Sequence, residues 1–339
     1  MPSLANLPVE IWERVIHDVV GPANPIPDSQ FPWVSGRRSD NCFRAARKQR
    51  LHKLQLLSAV ARTWRELCLT LSYETFQLKD YNETHWGWLL NTQLPRFPSL
   101  FHRTRRVIVV FQCLELKHVR ETIPHIVKLV REMPVLQDLA WHLTAFQSQV
   151  ESRQLVEKGI MEAIRLTGSR LQFLQIQEGM NRDMKYESIL TAQSVEVLNA
   201  LAPNLRRLIC AVEVDKSSSS DLVLDFPNLQ ILHMRLHADC LEPASVRNWI
   251  HRWRLGALKQ FGARGGGSGG GSSGRSVPIS EWVPILLNGN NGRNLEVFEV
   301  GVCIFSEERV VINVIHRQAS IYPRVFLPFF GHSVQICIR

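Results

Sequence analysis

The residues best equipped for chemistry in this chain stand together as His233, His237, Asp239 and Cys240. Imidazole, carboxylate and thiolate are the donors that hold zinc. A closed site, however, needs further ligands at characteristic spacing, and no partner pair stands elsewhere in the chain. The group therefore reads as no metal site, and its histidines are expected to be exposed at a strand edge. Nucleophile and phosphate motifs are missing too. Outside the glycine-serine run at 265–274 there is no Gly-x-Ser-x-Gly, there is no His-Glu-x-x-His, and that run lacks the Lys-Ser/Thr of a phosphate-binding loop. Neither an enzyme nor a cofactor site is expected, and the expectation shifts to binding.

Charge is the second resource. The chain has 339 residues and a formal net charge of +9. Between Arg37 and Arg65, nine basic residues (Arg37, Arg38, Arg44, Arg47, Lys48, Arg50, Lys53, Arg62 and Arg65) face Asp40 alone, so this window carries +8 of the total. Nucleic-acid phosphates could use such a window. Only Trp33, Phe43 and Trp64 interleave it, which is poor material for base stacking. An acidic protein surface is the preferred partner, with nucleic acid disfavoured and a merely solvated face or a nuclear-import signal as the other readings. The rest of the chain is near neutral, so the C-terminal region carries no obvious basic surface for nucleic acid.

Elements must position these groups. Leu7, Ile11, Val15 and Val19 recur every four residues, with Trp12 and Ile16 beside them, which predicts an amphipathic helix from about Leu7 to Val20. Asn6 is its expected N-cap, Pro8 suits the first turn, and Gly21-Pro22 stops it. Prolines then mark residues 21–36 as loop. A second helical pattern runs from near Phe43 to about Ser72, carrying Leu54, Leu57, Val60, Ala61, Trp64, Leu67 and Cys68 at three- and four-residue spacing.

Beyond Thr75 a self-similar unit appears, Leu-x-x-Leu-x-apolar, often entered by Pro-Asn. It begins at Leu136, Leu171, Leu205, Leu229, Leu258 and Leu295, with a weaker copy at Val107-Ile108-Val109. Intervals between leading leucines are 35, 34, 24, 29 and 37 residues. Residues two apart on a strand point the same way, and one unit cannot bury such a face alone. Stacked units can, through a parallel sheet backed by helices. The fold class is therefore α/β, an irregular right-handed solenoid. Leu139, Leu174, Leu208, Leu232, Phe261 and Phe298 are expected as one buried ladder. The expected helical backs are Ile123–Met133, Ser152–Leu166, Ser188–Leu201, Pro243–Trp253 and Ile279–Leu287. The run at 265–274 contains only glycine and serine. It reads as a flexible linker, either a replacement for a longer loop or a natural low-complexity insert.

Two segments of the N-terminal region resemble the F-box family. Leu7-Pro8-Val9-Glu10-Ile11, followed by Ile16, matches the pattern that opens the family's first helix. Leu57-Ser58-Ala59-Val60-Ala61-Arg62-Thr63-Trp64-Arg65-Glu66-Leu67 matches its later leucine-rich helix, which ends in a basic residue, one further residue and Trp. The stretch between them is about twenty residues longer than the family's usual one, a length that loops tolerate because closure entropy grows slowly, by about 0.6 kcal/mol per doubling. Ala61 stands where a small thiol residue is common.

With the repeats behind it, the chain is similar to F-box/leucine-rich-repeat proteins. The resemblance implies a substrate-recognition adaptor of a cullin–RING (SCF-type) ubiquitin ligase. Leu7, Pro8, Glu10, Ile11, Ile16, Leu57, Val60, Trp64 and Leu67 would dock a Skp-type adaptor and through it a cullin, and the repeats would hold a protein substrate. The alternative is a repeat scaffold with no ligase link, in which the helices merely cap the solenoid. The expected division is 1–78 for the helical module, with a basic insertion at about 21–53, and 79–339 for the repeats. Seven scattered cysteines without Cys-x-x-Cys read as free thiols in a reducing compartment, cytoplasmic and/or nuclear. No apolar run reaches membrane-spanning length, and no secretory signal is read at the N-terminus.

Overall fold

The computed structural model describes residues 8–21, 48–79, 83–111, 115–143, 150–178, 190–213, 224–237, 253–265, 294 and 297–302. Among the described residues three helices come first: α1 (Val9–Val20), α2 (48–58) and α3 (Arg62–Tyr73). Pro8 takes the N-cap position of α1. Gly21 ends that helix at φ 82, a left-handed value that favours glycine. The continuous helical pattern expected from Phe43 to Ser72 is two helices among the described residues. Ala61 is extended at φ −152, ψ 158, and turns the chain so that α3 packs back on α1. No Gly or Pro marks this break, and the apolar spacing runs through it unchanged, which hides it from periodicity.

One residue, Glu74, separates α3 from the first strand, β1 (Thr75–Lys79). The sheet therefore begins at Thr75, and β1 crosses the boundary expected at 78/79. Short helical pieces follow, α4 (Glu83–Trp88), α5 (Leu94–Arg96) and α6 (Pro98–Phe101), with a π-helical turn at Leu89–Gln93. Then come β2 (Arg106–Phe111), α7 (Leu116–Arg131), β3 (Asp138–Leu143), α8 (Val150–Thr167), β4 (Phe173–Glu178), β5 (Leu190–Thr191) and α9 (Ala192–Leu201). The described strands end with β6 (Arg207–Glu213), β7 (Ile231–His237), β8 (Gln260–Gly265) and β9 (Val297–Val302). The strands form one open parallel sheet in the order β1-β2-β3-β4-β6-β7-β8-β9, with β5 beside β6. The molecule is thus α/β.

Register follows the expected unit. Phe76, Val107, Leu139, Leu174, Leu208, Leu232, Phe261 and Phe298 are successive lateral partners. From Val107 to Phe261 these side chains are wholly buried, in one core to which α7, α8 and α9 contribute. The leading leucines 136, 171, 205, 229 and 258 are buried beneath the entry turns. In the weak early copy, buried Thr104 takes the leading place and spends its hydroxyl on the Tyr73 carbonyl at 3.0 Å.

Two hydrogen-bond ladders run along the stacked units. At the entries of β2, β3, β4, β6, β7 and β8 one carbonyl accepts from two consecutive amides of the next unit: Glu74 from Arg105 and Arg106, Arg105 from Gln137 and Asp138, and Gln137 from Gln172 and Phe173. Gln172, Arg206 and Gln230 continue the series. In four units the residue before the leading leucine reaches back to the preceding unit's turn. Arg170 donates to Pro134 O, Asn204 to Ser169 O at 2.9 Å, Asn228 to Pro203 O at 3.2 Å and Asn294 to Gly256 O at 2.7 Å. That ladder is the physical reason for Asn in the Pro-Asn signature. Its amide ties a turn carbonyl of the preceding unit to the next turn at the solvent-exposed edge.

Some helical boundaries differ from expectation. α7 starts at Leu116 and not near Ile123, because Pro124 is accommodated inside the helix on its exposed side. Leu190–Thr191, expected as helix, is extended and pairs with Val212 and Glu213. Thr191 caps α9, its hydroxyl accepting from Ser194 N at 3.2 Å. Gly265, first residue of the glycine-serine run, belongs to β8, while 266–274 lie outside the described residues. So do the expected helices at 243–253 and 279–287, apart from Trp253, which is buried and non-helical. No helix among the described residues is long and apolar enough to cross a membrane.

Candidate functional site

The apolar face of α1 is two rows wide. The inner row, Ile16 and Val20 with half-buried Trp12, meets Leu54, Cys68 and Leu71 in a small core ringed by Leu51, Leu57, Trp64 and Leu67. Trp12 and Trp64 close it with ring centroids 5.1 Å apart. The outer row, Ile11, Val15 and Val19, stays in solvent, as do Val9, Leu56, Val60 and Leu69.

The expected docking residues therefore separate. Ile16 is 1% exposed and belongs to the core, a correction to its placement on a contact surface. Leu57, Trp64 and Leu67 line the core's margin. Pro8 and Glu10 are exposed, Ile11 is 45% exposed and Val60 65%. Leu7 lies outside the described residues. Sequence reasoning missed Val15, Val19 and Leu56 as surface. The available signal was the width of the face, since three short helices can cover only part of it.

The basic window needs a larger correction. Arg50 is 7% exposed and does not lie on a solvated face. Its Nε donates to Gly21 O (3.3 Å), Nη1 to Leu71 O (3.1 Å) and Nη2 to Glu74 Oε2 (3.2 Å). It thereby satisfies carbonyls at the C-terminal ends of α1 and α3, where a cation is favoured. Burial pushes its pKa below the ordinary arginine value, with Glu74 pulling the other way. Lys53 donates to Val19 O at 3.1 Å. Lys48, Arg62 and Arg65 are exposed, while Arg37, Arg38, Arg44 and Arg47 lie outside the described residues.

On the sheet face opposite the helices, Ile108, Val110, Ala140, Phe173 and Ile209 form a second buried cluster. Arg106 pairs with Asp138 at 2.6 Å, and the guanidiniums of Arg106 and Arg207 lie 5.4 and 5.1 Å from the Phe173 ring centroid. Burial pushes the Asp138 carboxyl above its usual range in spite of Arg106. His233, expected to be exposed, is 2% exposed. It sits beside Gly262, where an added Cβ would come within 3.0 Å of its ring. Burial, aided by the charge of Arg207, lowers its pKa to about 3, so it is neutral. Strand alternation gives its face but not the depth of cover over it. Asp239 and Cys240 lie outside the described residues, among which no group of His, Cys, Asp and Glu could hold a metal.

No family model matches the chain, and no curated protein matches it in sequence.

Proposed function

We propose that this chain is a substrate-recognition adaptor of a cullin–RING, SCF-type ubiquitin ligase. An F-box-like helical module docks a Skp-type adaptor, and an irregular leucine-rich-repeat solenoid holds the protein to be modified. It does no bond chemistry itself and works in the cytoplasm and/or nucleus. One observation carries this reading. The two segments that resemble the F-box pattern meet in one small core, yet leave the Ile11-Val15-Val19 row and Val60 in solvent. Exposed apolar surface of that kind fits a protein contact.

A second reading, a cap without a ligase link, is favoured by the way α3 enters the sheet. Tyr73, Phe76 and Phe101 pack as an aromatic trio with centroids 5.4–6.4 Å apart, shielding the first strand.

The separating experiment is capture of a purified Skp-type adaptor by the full chain and by the double variant Ile11→Glu, Val60→Glu. Both sites are exposed, so the fold should survive. Docking predicts capture by the parent and its loss in the variant, whereas equal capture, or none by the parent, favours the cap. Deleting residues 1–20 is a poorer test, because it also removes Ile16 and Val20 from the core.

A further inference from the structure

We infer that Arg50 and Glu74 form a clamp that fixes the N-terminal helices and the sheet as one rigid block, with no hinge between them. Glu74 is the whole connection between α3 and β1, and it serves both parts. Its main-chain carbonyl accepts from Arg105 and Arg106, both at 3.0 Å, and so founds the entry ladder of the sheet. Its carboxylate takes Arg50 from α2. The Tyr73 carbonyl is held by Thr104, and the Thr70 hydroxyl by Arg103. The end of α3 is thereby built into the sheet.

Arg50 carries this constraint outward. Its three guanidinium nitrogens reach three places: the end of α1, the end of α3 and the Glu74 side chain. A planar fork spans three acceptors in fixed directions, whereas a lysine ammonium offers its donors from a single point. With the fork in place, α1 and α2 cannot turn about α3 without stripping a buried charge of its partners, which is costly. The consequence for function, that a protein held on the sheet is presented at a set angle to the adaptor, rests on the reading above. The rigidity itself does not.

The test is a distance distribution measured by pulsed electron resonance on the full chain. Spin labels go at exposed Asp18 on α1 and exposed Lys128 on α7, introduced as non-canonical residues so that the native cysteines are untouched. The parent should give one narrow distance. Arg50→Lys, which keeps the charge, should lose that single narrow peak while the sheet's cooperative thermal transition persists. Glu74→Gln should broaden the peak less, and it supplies the test if Arg50→Lys does not fold. A broad distribution in the parent, or parent-like width in either folded variant, overturns the clamp. Adaptor capture plays no part in this readout, so failure here is distinct from failure of the docking proposal.

Discussion

Leu208 and Leu232 in the sheet have no contact with solvent, while Ile11, Val15 and Val19 on α1 stand exposed. The residue types are alike, but the context differs. In the sheet every unit has a neighbour on which to lay its apolar face, so each added strand covers the last. The three N-terminal helices enclose one small core, and half of the α1 face has nothing among the described residues to lie against. The sheet is held by repetition of the same burial. The helices lean on a buried arginine whose three bonds substitute for the packing they lack.

The largest break in this contrast should come from the ladder. Leu208→Ala or Leu232→Ala should destabilise the sheet by about 2–5 kcal/mol in chemical denaturation, because a wholly buried leucine leaves a cavity. A loss below about 1 kcal/mol would mean that the site is looser than its burial implies.

Arg50→Met comes next. It leaves two helix-end carbonyls and Glu74 without the guanidinium, and should cost about 1–3 kcal/mol. The loss should show first in the helices, read by hydrogen exchange at α1 against β3.

His233 should impose a pH limb on the sheet alone. Its folded pKa of about 3 lies below the ordinary value of 6.5, so in that window the unfolded chain binds more protons. Its stabilising contribution is complete above pH 6.5 and is lost as pH falls toward 3, at no more than about 1.4 kcal/mol per pH unit. His233→Asn should flatten this limb in denaturation curves taken across that range, and an unchanged slope would assign the acid sensitivity elsewhere. The smallest effect is expected from Lys48→Glu, within about 0.5 kcal/mol. Lys48 is exposed. Setting it beside Arg50→Glu separates a solvated charge from a buried one two positions away.

The sheet was largely legible because its signal is periodic at two levels. Alternation within a strand put Leu208 and Cys210 on one face, and recurrence between units gave their lateral partners. What was not legible depended on cover and on single polar residues. Thr104 fills a leucine's place through one side-chain bond, and no pattern search for leucine finds it. His233 lies on the expected face, but its burial is set by neighbouring strands and by Gly262. In the candidate docking site, spacing revealed an apolar face on α1 but not which row the core would take. Arg50 sat within a run of like charges, and nothing in its neighbours set it apart from Lys48. Only the meeting of two helix ends and the Glu74 carboxylate around it does so.

The entry ladder has a consequence for how such a protein can change over generations. The step from Leu136 to Leu171 is 35 residues and that from Leu205 to Leu229 is 24, yet both end in the same paired bonds to the preceding unit. Insertions and deletions that fall between the end of one strand and the next leading residue leave those bonds in place. Descendants of one ancestor would therefore drift widely in total length while keeping short unaltered islands such as Asn204–Cys210, and kinship among them would be written in the order of the islands and not in their spacing.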